Sequence, residues 1–139
     1  MRGFVLDASV ALRWFLDHPM PVFANRVKQV FLKGARAVVP ALWHLEMSNG
    51  LVVAERRSIL TTADVDQAMM DIEPIVAQAV DIDSIVVSAR QSLATVRAFQ
   101  LSAYDAIYLD LARRERLPLA TLDDRLRKAA AHAGVELLR

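Results

Sequence analysis

The chain has 139 residues, of which 55% are hydrophobic, with 17 basic and 16 acidic side chains and no cysteine. This composition excludes a disordered chain and predicts a single domain, 1–139, with one core. The lack of cysteine excludes disulfides and zinc–thiolate sites, and a net charge of +1 does not by itself indicate a nucleic-acid binder. No apolar run approaches the roughly 20 residues that a membrane span needs, and we expect a cytoplasmic protein that contacts no membrane.

Hydrophobic periodicity predicts strands that alternate with helices. The predicted strands are 3–7, 36–39, 75–80, 118–121 and 135–138. The third, 75–80, alternates imperfectly and could instead extend the preceding helix. The predicted helices are 9–16, 20–33, 41–56, 62–72, 82–98, 103–116 and 123–133. Such alternation is typical of a mostly parallel sheet covered on both faces, in which functional residues collect at the carboxyl ends of the strands.

Several predicted boundaries carry capping signals. Gly34 and Gly134 follow helices as C-caps, and Thr61 or Thr62 caps the next helix, with Asp64 placed to complete a capping box from Thr61. Apolar residues recur at helical spacing in 62–72 and 82–98, and we predict that they face the core: Val65, Ala68, Met69, Ile72, Ile82, Ile85, Val86, Ala89, Leu93 and Val96.

The first unusual charge is Asp7, at the end of the apolar run Phe4–Leu6. A buried strand that ends on a carboxylate needs an explanation. Capping of the following helix by Asp7 or Ser9 is one, and a role in binding or catalysis is the other.

The helix 41–56 carries a second acidic residue on its apolar side. At about 100° per residue, Glu46 and Asn49 project to the same side as Leu42 and Val53. A glutamate placed there must find a cation or remain protonated.

The helix 103–116 contains two aspartates that can be compared. Asp105 falls within the apolar stripe, although an acid in the first turn also complements the helix dipole. On the helical projection, Asp110 lies between Arg113 and Arg114, three and four residues later in the sequence, and can pair with either of them.

The segment PLATLDDRL places Asp123 and Asp124 directly after the strand 118–121. Two capping arrangements are open: Thr121 as N-cap with Asp124 closing a capping box, or Asp123 as the cap itself.

Four carboxylates, Asp7, Glu46, Asp105 and Asp123, therefore follow strands or begin helices, positions that share one edge of a parallel sheet. They would repel one another strongly unless some were protonated or a divalent cation lay between them. Oxygen ligands without Cys or His select magnesium or manganese. Such a site suits metal-assisted phosphoryl transfer and predicts a hydrolase.

The motifs FVLDASV, P-x-LWHLEMSNGL, LSAYDAIYLDLA and PLATLDDRL, in this order, resemble the PIN-domain family, specifically the VapC-type toxins of toxin–antitoxin pairs. The resemblance implies a three-layer α/β/α fold with a central, mostly parallel sheet of four to five strands. It also implies an endoribonuclease that depends on Mg²⁺, with Mn²⁺ as a substitute. The family's acidic quartet maps onto Asp7, Glu46, Asp105 and Asp123, which would hold one or two metals that activate a water.

The same resemblance implies supporting residues and partners. Supporting roles around the carboxylates fall to Ser9, Asn49, Thr121 and Asp124. Arginines expected to steer RNA phosphates are Arg13, Arg113 and Arg116. The expected partners are the RNA substrate, a small antitoxin that contacts the region 20–72, and a second copy of the chain in a homodimer.

Two other readings of the acidic positions stay open. A catalytically weak PIN-like module would bind RNA or protein without cleaving it. A phosphatase or phosphotransferase with Asp7 as nucleophile usually has a second aspartate two residues on, where this chain has Ser9.

Overall fold

The computed structural model of the chain describes residues 3–139. Within them, one sheet contains the strands β1 (Gly3–Leu6), β2 (Arg36–Pro40), β3 (Val80–Asp83) and β4 (Leu119–Ala120). The strand order is β3-β2-β1-β4, and every pairing is parallel. All four residues of the central strand β1 are buried, because the sheet is covered on both faces.

Eight helices within the described residues flank the sheet: α1 (Ala8–Ala11), α2 (Arg13–Leu16), α3 (Val22–Leu32), α4 (Leu42–Arg56), α5 (Thr62–Ala79), α6 (Ala89–Phe99), α7 (Ala103–Glu115) and α8 (Asp124–Ala133). The helix α7 packs on β1 and β2 and also against α6 and α8, whereas α4 packs on β2, α1 and α5. The predicted three-layer α/β/α fold with a parallel sheet is thus confirmed.

The prediction was wrong between residues 72 and 89. Residues 75–79 are the last part of α5, which continues through Pro74 to Ala79, so the helical alternative for this segment is correct and the strand is not. The strand β3 follows it, and residues 84–88 form no regular element before α6 begins. The prediction ended the helix before Pro74 because a proline normally ends a helix. The apolar residues around Pro74 have no clear periodicity, so they do not distinguish a continuing helix from a short strand.

The apolar stripe predicted for 82–98 does not form. Ile82, Ile85, Val86 and Leu93 are exposed, as is Met69 on α5. In this group only Ala68 and Ile72 are fully buried, and Val96 packs against the core. The helical projection failed because its first half lies in β3 and a loop, where a period of 3.6 has no meaning.

Within residues 3–139 the sheet has no fifth strand. Residues 135–138 were predicted as a strand, but only one isolated bridge, Leu119 to Leu137, joins them to the sheet. Because β4 itself has two residues, the edge offers too short a ladder for a longer pairing.

The predicted capping signals hold. Thr61 and Asp64 form a reciprocal capping box at the start of α5. Gly34 and Gly134 follow α3 and α8 with φ of 90° and 73°, a backbone conformation that costs glycine little.

Close packing between α1 and α4 fixes the geometry around the end of β1. Gly50 lies in the middle of α4, and a Cβ there would stand 2.6 Å from Cδ2 of Leu12. A larger residue at position 50 would therefore require the side chain of Leu12, in the segment that follows Asp7, to shift. No helix in residues 3–139 is both long enough and apolar enough to cross a membrane.

Candidate functional site

Asp7 lies at the carboxyl end of β1, where its backbone N–H donates to the carbonyl of Ala120 at 3.0 Å. The side chain is 4% exposed, and its Oδ2 accepts hydrogen bonds from Ser9 Oγ at 2.7 Å and Thr121 Oγ1 at 2.6 Å. Asp7 occupies the N-cap position of α1 but makes no side-chain cap. Capping therefore does not explain this carboxylate.

The two hydroxyls that contact Asp7 are themselves polarised by backbone amides. Leu122 N–H donates to Ser9 Oγ at 3.1 Å, and Asp123 N–H donates to Thr121 Oγ1 at 3.0 Å. Each hydroxyl thus accepts one hydrogen bond and donates another to the carboxylate. These bonds hold the end of β1 and the turn between β4 and α8 together as one unit.

Glu46 reaches the same region from α4. Its Oε1 accepts a hydrogen bond of 2.5 Å from the hydroxyl of Tyr108, a fully buried residue of α7. Glu46 is half-buried, and Asn49, which was predicted to share its side, is exposed. The prediction misplaced the buried face of α4, which is formed by Trp43, Met47, Leu51 and Ala54.

Asp105 is half-buried in the first turn of α7. The N-cap of this helix is Ser102, whose Oγ accepts from the backbone N–H of Asp105 at 3.1 Å. The cap uses the backbone N–H of Asp105, and the Ser102 side chain also offsets in part the raised pKa of the Asp105 carboxylate.

Asp110, the comparison residue on α7, is satisfied in a different way from the one predicted. It accepts one bifurcated hydrogen bond from Thr95 Oγ1, which lies 2.8 and 3.0 Å from its two carboxylate oxygens. Arg114 instead pairs with Asp83 at 2.6 Å, and the guanidinium of Arg113 lies 5.4 Å from the centroid of Phe99. The predicted pairing of Asp110 with an arginine was wrong, because α6 brings a hydroxyl closer than either cation.

Asp123 is the N-cap of α8, with Oδ1 accepting from Leu126 N–H at 2.9 Å. The second of the two predicted capping arrangements is therefore present, and one carboxylate oxygen is used in it. Asp124 is the exposed first residue of α8.

Burial and mutual repulsion affect these carboxylates together. Burial is the main cause that raises the pKa of Asp7, Glu46 and Asp105. The charge of Asp123 adds to this increase at Asp7 and Asp105, and Asp7 and Asp105 add to it at Glu46. Hydrogen bonds from Thr121, Ser9 and Tyr108 oppose it in part. The charges of these side chains thus act on one another, although burial is the larger cause of the raised pKa values.

The arginines predicted to steer phosphates have different surroundings. Arg13 pairs with Asp17 at 2.8 Å on the segment that follows Asp7. Arg113 and Arg116 line a groove with Pro118 and the end of α8, at the amino edge of the sheet. They lie about 12 and 16 Å along α7 from Asp105, and therefore not beside the carboxylates.

Two contributors near the carboxylates were missed from the sequence. Tyr108 lies one turn after Asp105 on α7 and was given no role in the sequence analysis. Arg125 is close enough to lower the pKa of Asp105 in part, and it too was given no role in the sequence analysis. In both cases, the sequence signal that could have identified the residue is its position within three residues of a candidate metal-binding carboxylate.

The donor set fits a hard divalent cation by its chemistry. All four side chains are carboxylates, three of them with pKa values raised by burial, so a cation between them would relieve repulsion. Within residues 3–139, no three His, Cys, Asp or Glu side chains are close enough to hold an ion directly as they stand. Magnesium keeps several of its waters and uses one or two protein carboxylates, so it does not need three direct side-chain ligands.

Comparison with known proteins agrees with the geometry. The sequence profile of the PIN domain family matches residues 4–132. Among solved structures, the crystal structure of PAE2754 from Pyrobaculum aerophilum is similar with a TM-score of 0.68 and 20% identity, covering 92% of this chain and 84% of that chain. No curated protein matches the sequence.

Proposed function

Since the chain belongs to the PIN domain family, we propose that it is a Mg²⁺-dependent endoribonuclease and the toxin of a type II toxin–antitoxin pair. PIN domains are typically nucleases, which supports hydrolysis of a nucleic acid as the reaction class. The observation that carries the proposal is the gathering of Asp7, Glu46, Asp105 and Asp123, where burial and like charge favour a bound cation.

The proposed metal residues are these four carboxylates, with Asp7 in the most rigid position. When bound, Mg²⁺ supplies the positive charge that orients a water and stabilises the leaving oxygen of an RNA phosphodiester. Ser9 and Thr121 hold Oδ2 of Asp7, and this constrains the direction of Oδ1. No side chain acts as a covalent nucleophile in this scheme.

Hydrogen bonds also restrict the orientation of two further carboxylates of the site, those of Glu46 and Asp123. The phenol of Tyr108 occupies Oε1 of Glu46 and so limits how that carboxylate can turn. Asp123 is fixed by its cap to α8, with Oδ2 outside the cap. In this role Asn49 and Asp124, both exposed, would contact the ligands of the site only through water.

A ribonuclease assay tests the proposal. The purified chain, free of any antitoxin, is expected to cleave a structured RNA with Mg²⁺ or Mn²⁺ and to stop in EDTA. Asp7→Asn removes a buried charge and should reduce the rate by at least about 100-fold. Asp110→Asn, a half-buried aspartate on α7 away from the site, should cleave normally; cleavage by wild type that EDTA and Asp7→Asn leave unchanged would refute the mechanism.

The toxin role is supported by exposed apolar surface. Ile85 and Val86, which are 54% and 90% exposed, and Leu45 on α4 are available to a protein partner such as an antitoxin or a second copy of the chain. We expect growth arrest when the chain is expressed in the bacterial cytoplasm, and relief by a small protein encoded beside it. Arrest that Asp7→Asn also produces would contradict a nuclease toxin.

A second candidate is a PIN-like module that binds RNA or protein without cleaving it. The spacing of the acidic side chains favours it, since no three in the described residues are close enough to hold an ion directly. Binding of RNA without turnover in saturating Mn²⁺ would support this candidate and exclude the nuclease.

A further inference from the structure

A groove between α6 and α8 opens next to the proposed carboxylate site. Its volume is about 700 Å³, and its walls are the end of α6, at Ala98, Phe99 and Gln100, and one face of α8. Both walls lie close along the chain to a carboxylate, because Asp105 follows Gln100 by five residues and Asp123 precedes Arg125 by two. Arg125 is also near enough to Asp105 for its charge to lower the pKa of that carboxylate in part. A ligand that leaves the site over the start of α8 therefore enters this groove.

The α8 wall of the groove is basic. Arg125, Lys128 and His132 recur at helical spacing, so they share one face over about 10 Å of the helix. All three are exposed, and none takes part in an ion pair among the described residues. Asp124 stands four residues before Lys128, where an ion pair could form, yet none does.

Most lysines and arginines within residues 3–139 take part in no ion pair, so what sets the groove apart is the clustering of three cations on one wall. Arg13, Arg36 and Arg114 each contact an acidic side chain of the same chain. The groove cations, by contrast, stand beside a site of negative charge without being neutralised by it, although Arg125 stabilises the charge of Asp105 in part. Cations kept free in a groove are suited to an anionic ligand.

The opposite wall adds an aromatic ring. Phe99 lines the groove and is held by the guanidinium of Arg113, 5.4 Å from the ring centroid. A basic track with an aromatic side chain is the combination that binds single-stranded nucleic acid, in which cations follow the backbone and rings stack on bases.

We propose that this groove binds the single strand of RNA that flanks the scissile phosphate, with Arg125 and Lys128 contacting successive phosphates. The proposal rests on the proposed function, since it is the position of the carboxylates that makes the flanking strand the ligand. It replaces Arg113 and Arg116 as the nearest phosphate contacts and assigns Arg113 to support of Phe99.

Salt-dependent RNA binding tests the groove separately from cleavage. The probe is a fluorescein-labelled single-stranded RNA of about 12 nucleotides, bound in EDTA to the Asp7→Asn chain so that no turnover interferes. In that background, Lys128→Gln should weaken binding several-fold at low salt. It should also make the slope of log K against log salt shallower by about 0.7, the value for one lost phosphate contact on a single strand. Adding Arg125→Gln should double the change in slope.

Matched controls replace the same residue types far from the groove. Lys33→Gln lies after α3 and Arg56→Gln at the end of α4, both at the amino edge of the sheet, and both should leave the slope unchanged. An unchanged slope in Lys128→Gln together with Arg125→Gln, or an equal change in the controls, would overturn the proposal and leave these cations to an acidic protein partner. Absence of cleavage by wild type with Mg²⁺, combined with the predicted slopes, would refute the nuclease and support the groove.

Discussion

The charged side chain in the first turn of α7 and those in its last two turns have opposite kinds of surroundings. At the start, Asp105 faces Asp7 and Asp123, and burial and repulsion raise its pKa. Further along, Asp110 is satisfied by Thr95, and Arg114 by Asp83. The charged side chains of the later turns have partners and stabilise the fold, whereas the buried and repelled carboxylate of Asp105 lowers the stability of the metal-free chain. This contrast is what separates functional carboxylates from structural ones on a single helix.

The largest effect should come from exchanging the two aspartates of α7 for asparagine. Asp105→Asn should reduce RNA cleavage by at least about 100-fold and leave stability unchanged or slightly higher, because a repelled charge is removed. Asp110→Asn should keep full activity and lose about 1 kcal/mol of stability through a weaker bond from Thr95. Cleavage rates and urea unfolding measure both quantities. Equal activity of the two variants would erase the contrast between the turns.

The two tyrosines of α7 sharpen the comparison. Tyr108→Phe removes the hydroxyl that donates to Glu46, which should lower metal affinity about 10-fold or more and cost about 1.5–3 kcal/mol of stability. Tyr104→Phe is the control, since Tyr104 is 65% exposed on the same helix. Calorimetric titration with Mn²⁺ gives the affinity. If Tyr108→Phe binds Mn²⁺ as wild type does, Glu46 is not positioned by this bond.

Removal of a structural ion pair should have a moderate effect of another kind. Arg114→Gln breaks the pair with Asp83, whose side chains are 32% and 13% exposed, and should cost about 1 kcal/mol of stability. Because this pair lies outside the carboxylate site, cleavage should not change. A loss of activity larger than the loss of folded protein would show that the later turns of α7 also serve the site.

The stability of the metal-free chain should depend on pH with a sign set by the raised pKa values. In the unfolded chain Asp7, Glu46 and Asp105 ionise at about pH 4, but in the folded chain burial raises their pKa. The folded state therefore binds more protons between these values, and stability falls as the pH rises through that window. Urea unfolding in EDTA should show this decline and a smaller one in Asp7→Asn.

Asp81 provides the opposite sign as a control. The guanidinium of Arg36 lowers its pKa, so its contribution to stability is lost on acidification. Asp81→Asn should leave the decline above pH 4 intact. Stability that rises with pH across this window in wild type would contradict a site of buried, repelling carboxylates.

The sequence predicted most of the fold because its strands are short apolar runs bounded by clear signals. Glycines and the Thr61 capping box marked helix ends correctly. Residues 72–89 were not predictable by the same means, since α5 passes through Pro74 and tertiary packing, not periodicity, decides where it ends.

The residues of the proposed site likewise divide into those that the sequence could identify and those that it could not. Asp7 and Asp105 could be singled out because a charge in an apolar pattern is visible in one dimension. Tyr108 and Thr95 could not be assigned, because their partners Glu46 and Asp110 lie 62 and 15 residues away. The contacts that tell a functional carboxylate from a structural one are long-range, and only the folded chain contains them.

The central claim is that the carboxylates of Asp7, Glu46, Asp105 and Asp123 bind a divalent cation. Calorimetric titration of the metal-free chain with Mn²⁺ at neutral pH tests it most directly. The account predicts saturable binding that Asp7→Asn abolishes and Asp110→Asn preserves. Binding of equal strength in Asp7→Asn, or no binding to the folded wild-type chain at millimolar Mn²⁺, would contradict it.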